Sequence, residues 1–285
     1  MSKIVWLASY PKSGNTWLRA FLANFVHPQD QPADINRLSI SIGAGNRGNF
    51  DQIVGLESSG LTNAEIDSYL SGVYRRIAAD AAETLYFKTH DAYLVDQEGI
   101  PRIPTDVTQC AVYIVRNPLD VAISFAHHMG RSLDATIEHM ADSEFAFGRN
   151  PDRLHRQLRQ PLLSWSGHVE SWLSHSEFPV HLMRYEDMLN RQVETFTACI
   201  QFLGLDCDTS RIQQALKNSS FETLRGQELK HGFRERPSAA ASFFRSGSAG
   251  QWLKILSEEQ VLSISESHGQ TMKKLGYSAS DASDR

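Results

Sequence analysis

The sequence predicts an α/β fold, a single domain with a central parallel β-sheet flanked by helices. Strand-like apolar runs alternate with amphipathic helical stretches along the chain, and two of those runs are apolar on both faces, as strands covered by helices on each side must be. Residues 3–9 are the first such run, ended by a turn at Tyr10-Pro11. Trp17, Leu18, Phe21, Leu22, Phe25 and Val26 then share one helical face, and His27-Pro28 stops the run, so residues 3–27 read strand, tight loop, helix. Thr62 and Glu65 form a capping-box pattern ahead of Ile66, Tyr69, Leu70, Val73 and Ile77 at helical spacing. Residues 84–89 and 110–115 are further strands, the second wholly apolar. Asn117-Pro118 opens a helix, with Asp120 favoured at the positive end of its dipole. A fourth strand over 180–184 precedes a helix over about 191–204 that ends near Gly204. The domain spans 1–277, residues 278–285 read as a frayed tail, and segments 28–61, 131–161 and 222–250 are expected to be lid segments.

Composition bounds the function. The chain has 285 residues, with 28 Lys+Arg against 33 Asp+Glu and a net charge of −5, which argues against a general nucleic-acid or anionic-membrane binder and leaves only a local anion site. Cys110, Cys199 and Cys207 form no CxxC pair, which suits a reducing compartment. No stretch reaches the roughly 18 apolar residues of a membrane span, so a cytoplasmic protein is expected.

The chemistry concentrates at Tyr10-Pro11-Lys12-Ser13-Gly14-Asn15-Thr16-Trp17. A strand, then Lys, a small residue and Gly, then hydroxyl and amide side chains opening a helix, builds a phosphate cradle from backbone N–H groups and the helix dipole. It is not a Walker A loop, because Lys12 precedes Gly14 instead of following a glycine. No HExxH or clustered Asp/His spacing suggests a metal. Trp165 and Trp172, seven residues apart on one helical face, read as core.

This octet, YPKSGNTW, closely resembles the donor-binding loop of the cytosolic-type sulfotransferases that use 3′-phosphoadenosine 5′-phosphosulfate (PAPS). A second stretch from Val115 to Ser124, with Arg116 and Ser124 eight apart, is similar to that family's 3′-phosphate motif. Lys88-Thr89-His90, the Trp165 to Trp172 helix with His168, Tyr185-Glu186-Asp187-Met188, Ser219-Ser220-Phe221 and Phe244 to Trp252 agree in order with further family segments. Two positions depart: Ser246 stands where the family has Lys, and Gln251 where it has Asp. No counterpart of the family's C-terminal dimerisation motif is visible, which leaves the oligomeric state open.

The resemblance implies a P-loop-like sulfotransferase fold and transfer of a sulfuryl group to a hydroxyl of a small-molecule or natural-product acceptor, a peptide included, with 3′-phosphoadenosine 5′-phosphate (PAP) as product and no metal. The opening segment looks especially like bacterial sulfotransferases of secondary metabolism. His90 would be the general base, Lys12 would meet charge on the leaving phosphate oxygen, and Lys88 would add positive charge near the transferred group. Ser13, Gly14, Asn15 and Thr16 would cradle the 5′-phosphate. Arg116, Ser124, Arg245, Ser246 and Gly247 would form the 3′-phosphate end, and Trp17, Tyr185, Ser219 and Phe221 would surround the adenine. Two other readings stand beside this one: a donor-binding protein with little catalysis, allowed by Ser246, and a P-loop kinase using ATP and Mg²⁺.

Overall fold

The computed structural model describes residues 3–38, 40–96, 98–149, 154–174 and 177–278. Its strands are β1 (Ile4–Ser9), β2 (Ser41–Gly43), β3 (Leu85–Thr89), β4 (Thr108–Val115), β5 (Ala146–Phe147), β6 (Gln160–Pro161) and β7 (Val180–Arg184). The helices are α1 (Asn15–Val26), α2 (Arg47–Val54), α3 (Asn63–Asp80), α4 (Pro118–Met129), α5 (Leu133–Ala141), α6 (Trp165–Leu173), α7 (Tyr185–Asn190), α8 (Gln192–Phe202), α9 (Thr209–Asn218), α10 (Phe221–His231), α11 (Trp252–Ile255) and α12 (Glu258–Lys274). The fold is α/β with a central parallel sheet, strand order β2-β3-β1-β4-β7, flanked by helices. No described helix is long and apolar enough to cross a membrane. Within this fold the chain divides into two compact units, each built from three separate stretches: Met1–Tyr10, Ser41–Tyr113 and Asp142–His181 in the first, Pro11–Ile40, Ile114–Ala141 and Leu182–Arg285 in the second.

In the first unit β1 is buried along its whole length, as an apolar run covered on both faces requires. It pairs in parallel with β3, Ile4 opposite Leu85 through Ala8 opposite Thr89, which carries the chain to Lys88 and His90 at the strand's carboxyl end. Trp6 packs edge-on against Tyr74 at 5.1 Å and donates its indole N–H to Thr108. The capping box of α3 forms as predicted: Thr62 accepts from the Glu65 N–H, and Glu65 accepts from the Thr62 N–H at 2.7 Å. Trp165 and Trp172 are fully buried, as their spacing predicts. Segment 28–61 is not a bare loop, because β2 adds to the edge of β3 and α2 follows it. A three-residue strand followed by an eight-residue helix carries too little pattern to be read.

In the second unit α1 is closed at its carboxyl end by Arg211, which donates to the carbonyls of Phe25 (2.7 Å) and Val26 (3.4 Å) and lies over the Phe25 ring. Asn117 caps α4 by accepting from the Leu119 N–H, with Pro118 at the first helical position. Asp120 does more than meet a dipole: its buried carboxylate accepts from the N–H groups of Gly250 (2.6 Å) and Trp252 (3.2 Å). Segment 222–250 contains α10, a helix the sequence hid because only Leu224 and Glu228 of it are buried. Segment 131–161 likewise holds α5, β5 and β6 outside residues 150–153, which lie outside the described residues, as does the predicted tail from 279 onward.

Candidate active site

The cradle belongs to the second unit, and its backbone is held in an uncommon form. Lys12 adopts φ 67, the left-handed region that costs a residue with a side chain about 1–2 kcal/mol. Gly14 adopts φ 110, where a Cβ would stand 2.8 Å from Cδ2 of Tyr185, so only glycine fits. Gly14 also serves as the N-cap of α1; it brings no side-chain acceptor, and its carbonyl accepts from the Trp17 and Leu18 N–H groups. Ser13 Oγ, Trp17 Nε1 and Arg116 Nε are buried without a hydrogen-bond partner in the protein. Buried donors are seldom left unpaired, each costing about 1–3 kcal/mol, so three around one loop describe a site shaped for an acceptor-rich ligand.

Arg116, at the end of β4, donates to the carbonyl of Lys12 (3.2 Å) and to that of Ser248 (2.9 Å), and its guanidinium lies 4.4 Å from the centre of the Tyr185 ring. It therefore fastens the cradle to the segment that carries Arg245, Ser246 and Gly247. Arg245 donates to the Gln251 side-chain carbonyl at 2.7 Å, and the Gln251 amide donates to Ser246 Oγ. The two departures from the resembled pattern thus form one hydrogen-bonded bridge, with a neutral serine and a neutral glutamine where lysine and aspartate are usual. Burial and the neighbouring Arg116 hold the Arg245 guanidinium below its usual range. Two guanidiniums that repel one another, with both oxygens of Asp120 given to backbone amides, are arranged for an anion.

The remaining predicted residues of this unit fall around the same segments. Gly247, φ 63, lies so close over Phe221 that a Cβ would collide with Cδ2 of the ring. Trp17 and Tyr185 meet edge-on at 6.1 Å, and Asn15 and Thr16 are buried at the start of α1. Ser219 is fully buried and donates its hydroxyl to the Ala215 carbonyl, so it also closes α9. Ser124 is half-buried on α4, and one turn on stands His127. Burial first, then the charges of Arg245 and Lys12, hold the His127 imidazole below its usual range, which locates it beside both cations.

Lys88, half-buried on β3, and His90 belong to the first unit. His90 Nδ1 lies 2.8 Å from the Ser9 carbonyl oxygen and 3.3 Å from Ser9 Oγ. A carbonyl only accepts, so Nδ1 carries the proton and Nε2 is the basic nitrogen of neutral His90. The backbone of His90 is fixed as well. Its carbonyl accepts from His168 Nε2 at 3.0 Å, which leaves His168 Nδ1 to accept from the Tyr113 hydroxyl at 2.8 Å. Burial pushes the His168 imidazole down to about 4, so it stays neutral and keeps these directions at physiological pH. Sequence reasoning missed Ser9 and Tyr113, because no local pattern joins a serine on β1 to His90 or a tyrosine on β4 to His168.

Asp91, next in the chain, is buried against Arg102 at 3.3 Å, and Arg102 also pairs with Asp67 at 2.7 Å. Burial pushes the Asp91 carboxyl up to about 6, with Arg102 opposing. A carboxyl raised in the folded state stabilises the fold fully below its unfolded value and loses that contribution as pH rises through about 6. Asp91→Asn is expected to remove the part of the Tm-against-pH curve that lies between about 4 and 6. An unchanged curve in thermal melts across that window would refute the assignment.

Comparison with known proteins gives the family. The sequence matches the sulfotransferase domain family model over residues 2–276. It is 25% identical over 276 residues to flavonol 3-sulfotransferase of Flaveria bidentis, covering 91% of this chain and 78% of that protein. It is 28% identical over 267 residues to cytosolic sulfotransferase 1 of Arabidopsis thaliana, covering 89% and 73%. Among solved structures, retinol dehydratase in complex with retinol and PAP superposes with a TM-score of 0.62 at 20% identity, covering 96% of this chain and 82% of that one. A mouse sulfotransferase complexed with PAP gives 0.60 at 20% identity, covering 95% and 85%. With a loop whose buried donors face no protein acceptor and a family model that matches nearly end to end, the chain belongs to the sulfotransferase domain family.

Proposed function

We propose that this enzyme transfers the sulfuryl group of PAPS to a hydroxyl of a small-molecule or natural-product acceptor. The carrying observation is the set of buried donors, Ser13 Oγ, Trp17 Nε1 and Arg116 Nε, that have no partner in the protein. Solved relatives bound to PAP support the nucleotide, and curated relatives named for flavonols and luciferin support a small organic acceptor. A relative named as cytosolic supports action in the cytoplasm.

Each residue then has one task. Ser13 to Thr16 hold the 5′-phosphate, Arg116, Ser124, Arg245, Ser246 and the Gly247 backbone hold the 3′-phosphate, and Trp17, Tyr185, Ser219 and Phe221 border the adenine. His90 takes the acceptor's hydroxyl proton on Nε2 as the acceptor oxygen bonds to sulfur and the bond from sulfur to the 5′-phosphate oxygen breaks. The Nδ1 hydrogen bond to Ser9 holds the ring in the tautomer this step needs. Lys12 offsets the negative charge that PAP carries away, and Lys88 adds positive charge around the moving group.

The test is calorimetry of PAP with the purified protein in the presence of a chelator, beside a radiolabelled-donor assay over a panel of hydroxyl acceptors. Binding of PAP without metal is the expected result. Magnesium-dependent use of ATP with no PAP binding would replace this reading with a kinase.

A further inference from the structure

Resting on the sulfuryl-transfer reading, we propose that Phe243 is a positioning residue for Lys12: its ring face holds the lysine ammonium in place without neutralising it. Lys12 Nζ lies 3.7 Å from the centre of the Phe243 ring. At that distance the ammonium is attracted by the negative face of the ring's quadrupole, an interaction that strengthens where water is excluded.

The ring is held from several sides. Its backbone N–H donates to Glu228 Oε1 at 2.7 Å, and the N–H of Phe244 donates to Glu228 Oε2 at 2.9 Å, so one buried carboxylate on α10 fixes two successive peptide units. Around the ring, Phe233 meets it edge-on at 4.7 Å, Phe244 at 5.1 Å and the His128 imidazole at 5.9 Å. A ring held this way is a platform rather than a chance neighbour.

The chemical reason for an aromatic face lies in what a carboxylate would do there. An aspartate or glutamate would fix Lys12 equally well, yet it would compete with the donor's phosphate and cancel charge when the leaving oxygen becomes negative. A neutral ring orients the ammonium and leaves its charge whole. Ordering a flexible four-carbon stem costs side-chain entropy, which contact with a fixed ring face offsets.

The experiment replaces Phe243 site-specifically with pentafluorophenylalanine, which keeps the ring's shape and reverses its quadrupole, and with Tyr, which keeps both. Turnover is read as release of PAP from PAPS with water as the acceptor, the sulfuryl group leaving as sulfate, so that no identified acceptor is required. Lysine side-chain NMR reads the upfield ring-current shift of the Lys12 methylene protons, and calorimetry reads PAP affinity. The fluorinated protein is expected to lose about tenfold in turnover and to bind PAP more weakly, because PAP carries the charge that Lys12 meets, while Tm stays near wild type and Phe243→Tyr retains both. In Phe243→Leu the ring-current shift should vanish. Unchanged turnover on fluorination, or an unchanged Lys12 signal in Phe243→Leu, overturns the inference while PAP still binds. Failure of the unmodified protein to bind PAP instead overturns the donor reading beneath it.

Discussion

His90→Ala is expected to lower turnover by about a hundredfold or more while PAP affinity stays near wild type. Ser9 is three residues upstream of Lys12, and its carbonyl receives the His90 Nδ1 proton at 2.8 Å, which commits Nε2 to accepting. The Tyr113, His168 and His90 carbonyl chain holds the peptide unit on which that ring is mounted. Removing the imidazole therefore takes away the base and leaves the supporting chain in place. Single-turnover kinetics separates the steps: the chemical step should slow and donor binding should not. Wild-type turnover in His90→Ala with a saturating hydroxyl acceptor would remove the base assignment.

Arg116→Ala is expected to weaken PAP binding about a hundredfold, because it removes charge-assisted hydrogen bonds whose combined worth is about 3 kcal/mol. Arg116 is 7% exposed, stacks on Tyr185, and ties the Lys12 carbonyl to that of Ser248, so its loss also loosens the link between the two anion-binding segments. Lysine in its place restores one charge without the fork and should recover only part of the affinity. Calorimetry on both variants measures this, and PAP binding to Arg116→Ala within threefold of wild type would contradict the 3′-phosphate role.

The parts of the fold that were legible are those in which one short stretch decides its own structure. The capping box at Thr62 and Glu65, the Asn117-Pro118 helix start and the apolar runs within β1 and β4 each carry their signal locally. Helix α10 does not, since its buried residues are too few to print a stripe on the sequence, and β2 is too short to show alternation. The candidate site divides in the same way. Lys12, Gly14, Arg116 and His90 stand out by motif, whereas the Ser9 carbonyl, the Tyr113 hydroxyl and the Phe243 ring act through contacts 81, 55 or more residues away in the chain. Asp120 shows the limit most plainly: a helix-dipole argument explains its position but not the Gly250 and Trp252 amides, 130 and 132 residues on, that occupy its oxygens.

The grip of Glu228 on the amides of Phe243 and Phe244 also ties a loop back onto the helix it leaves. Residues 232–242 run from the end of α10 to that carboxylate's anchor, so both of their ends are tied to the same short helix. Within that stretch Phe233 meets the Phe243 ring at 4.7 Å and Glu235 pairs with Arg19 of α1 at 2.8 Å, so a change of length there would be felt both at the ring beneath Lys12 and along the first helix.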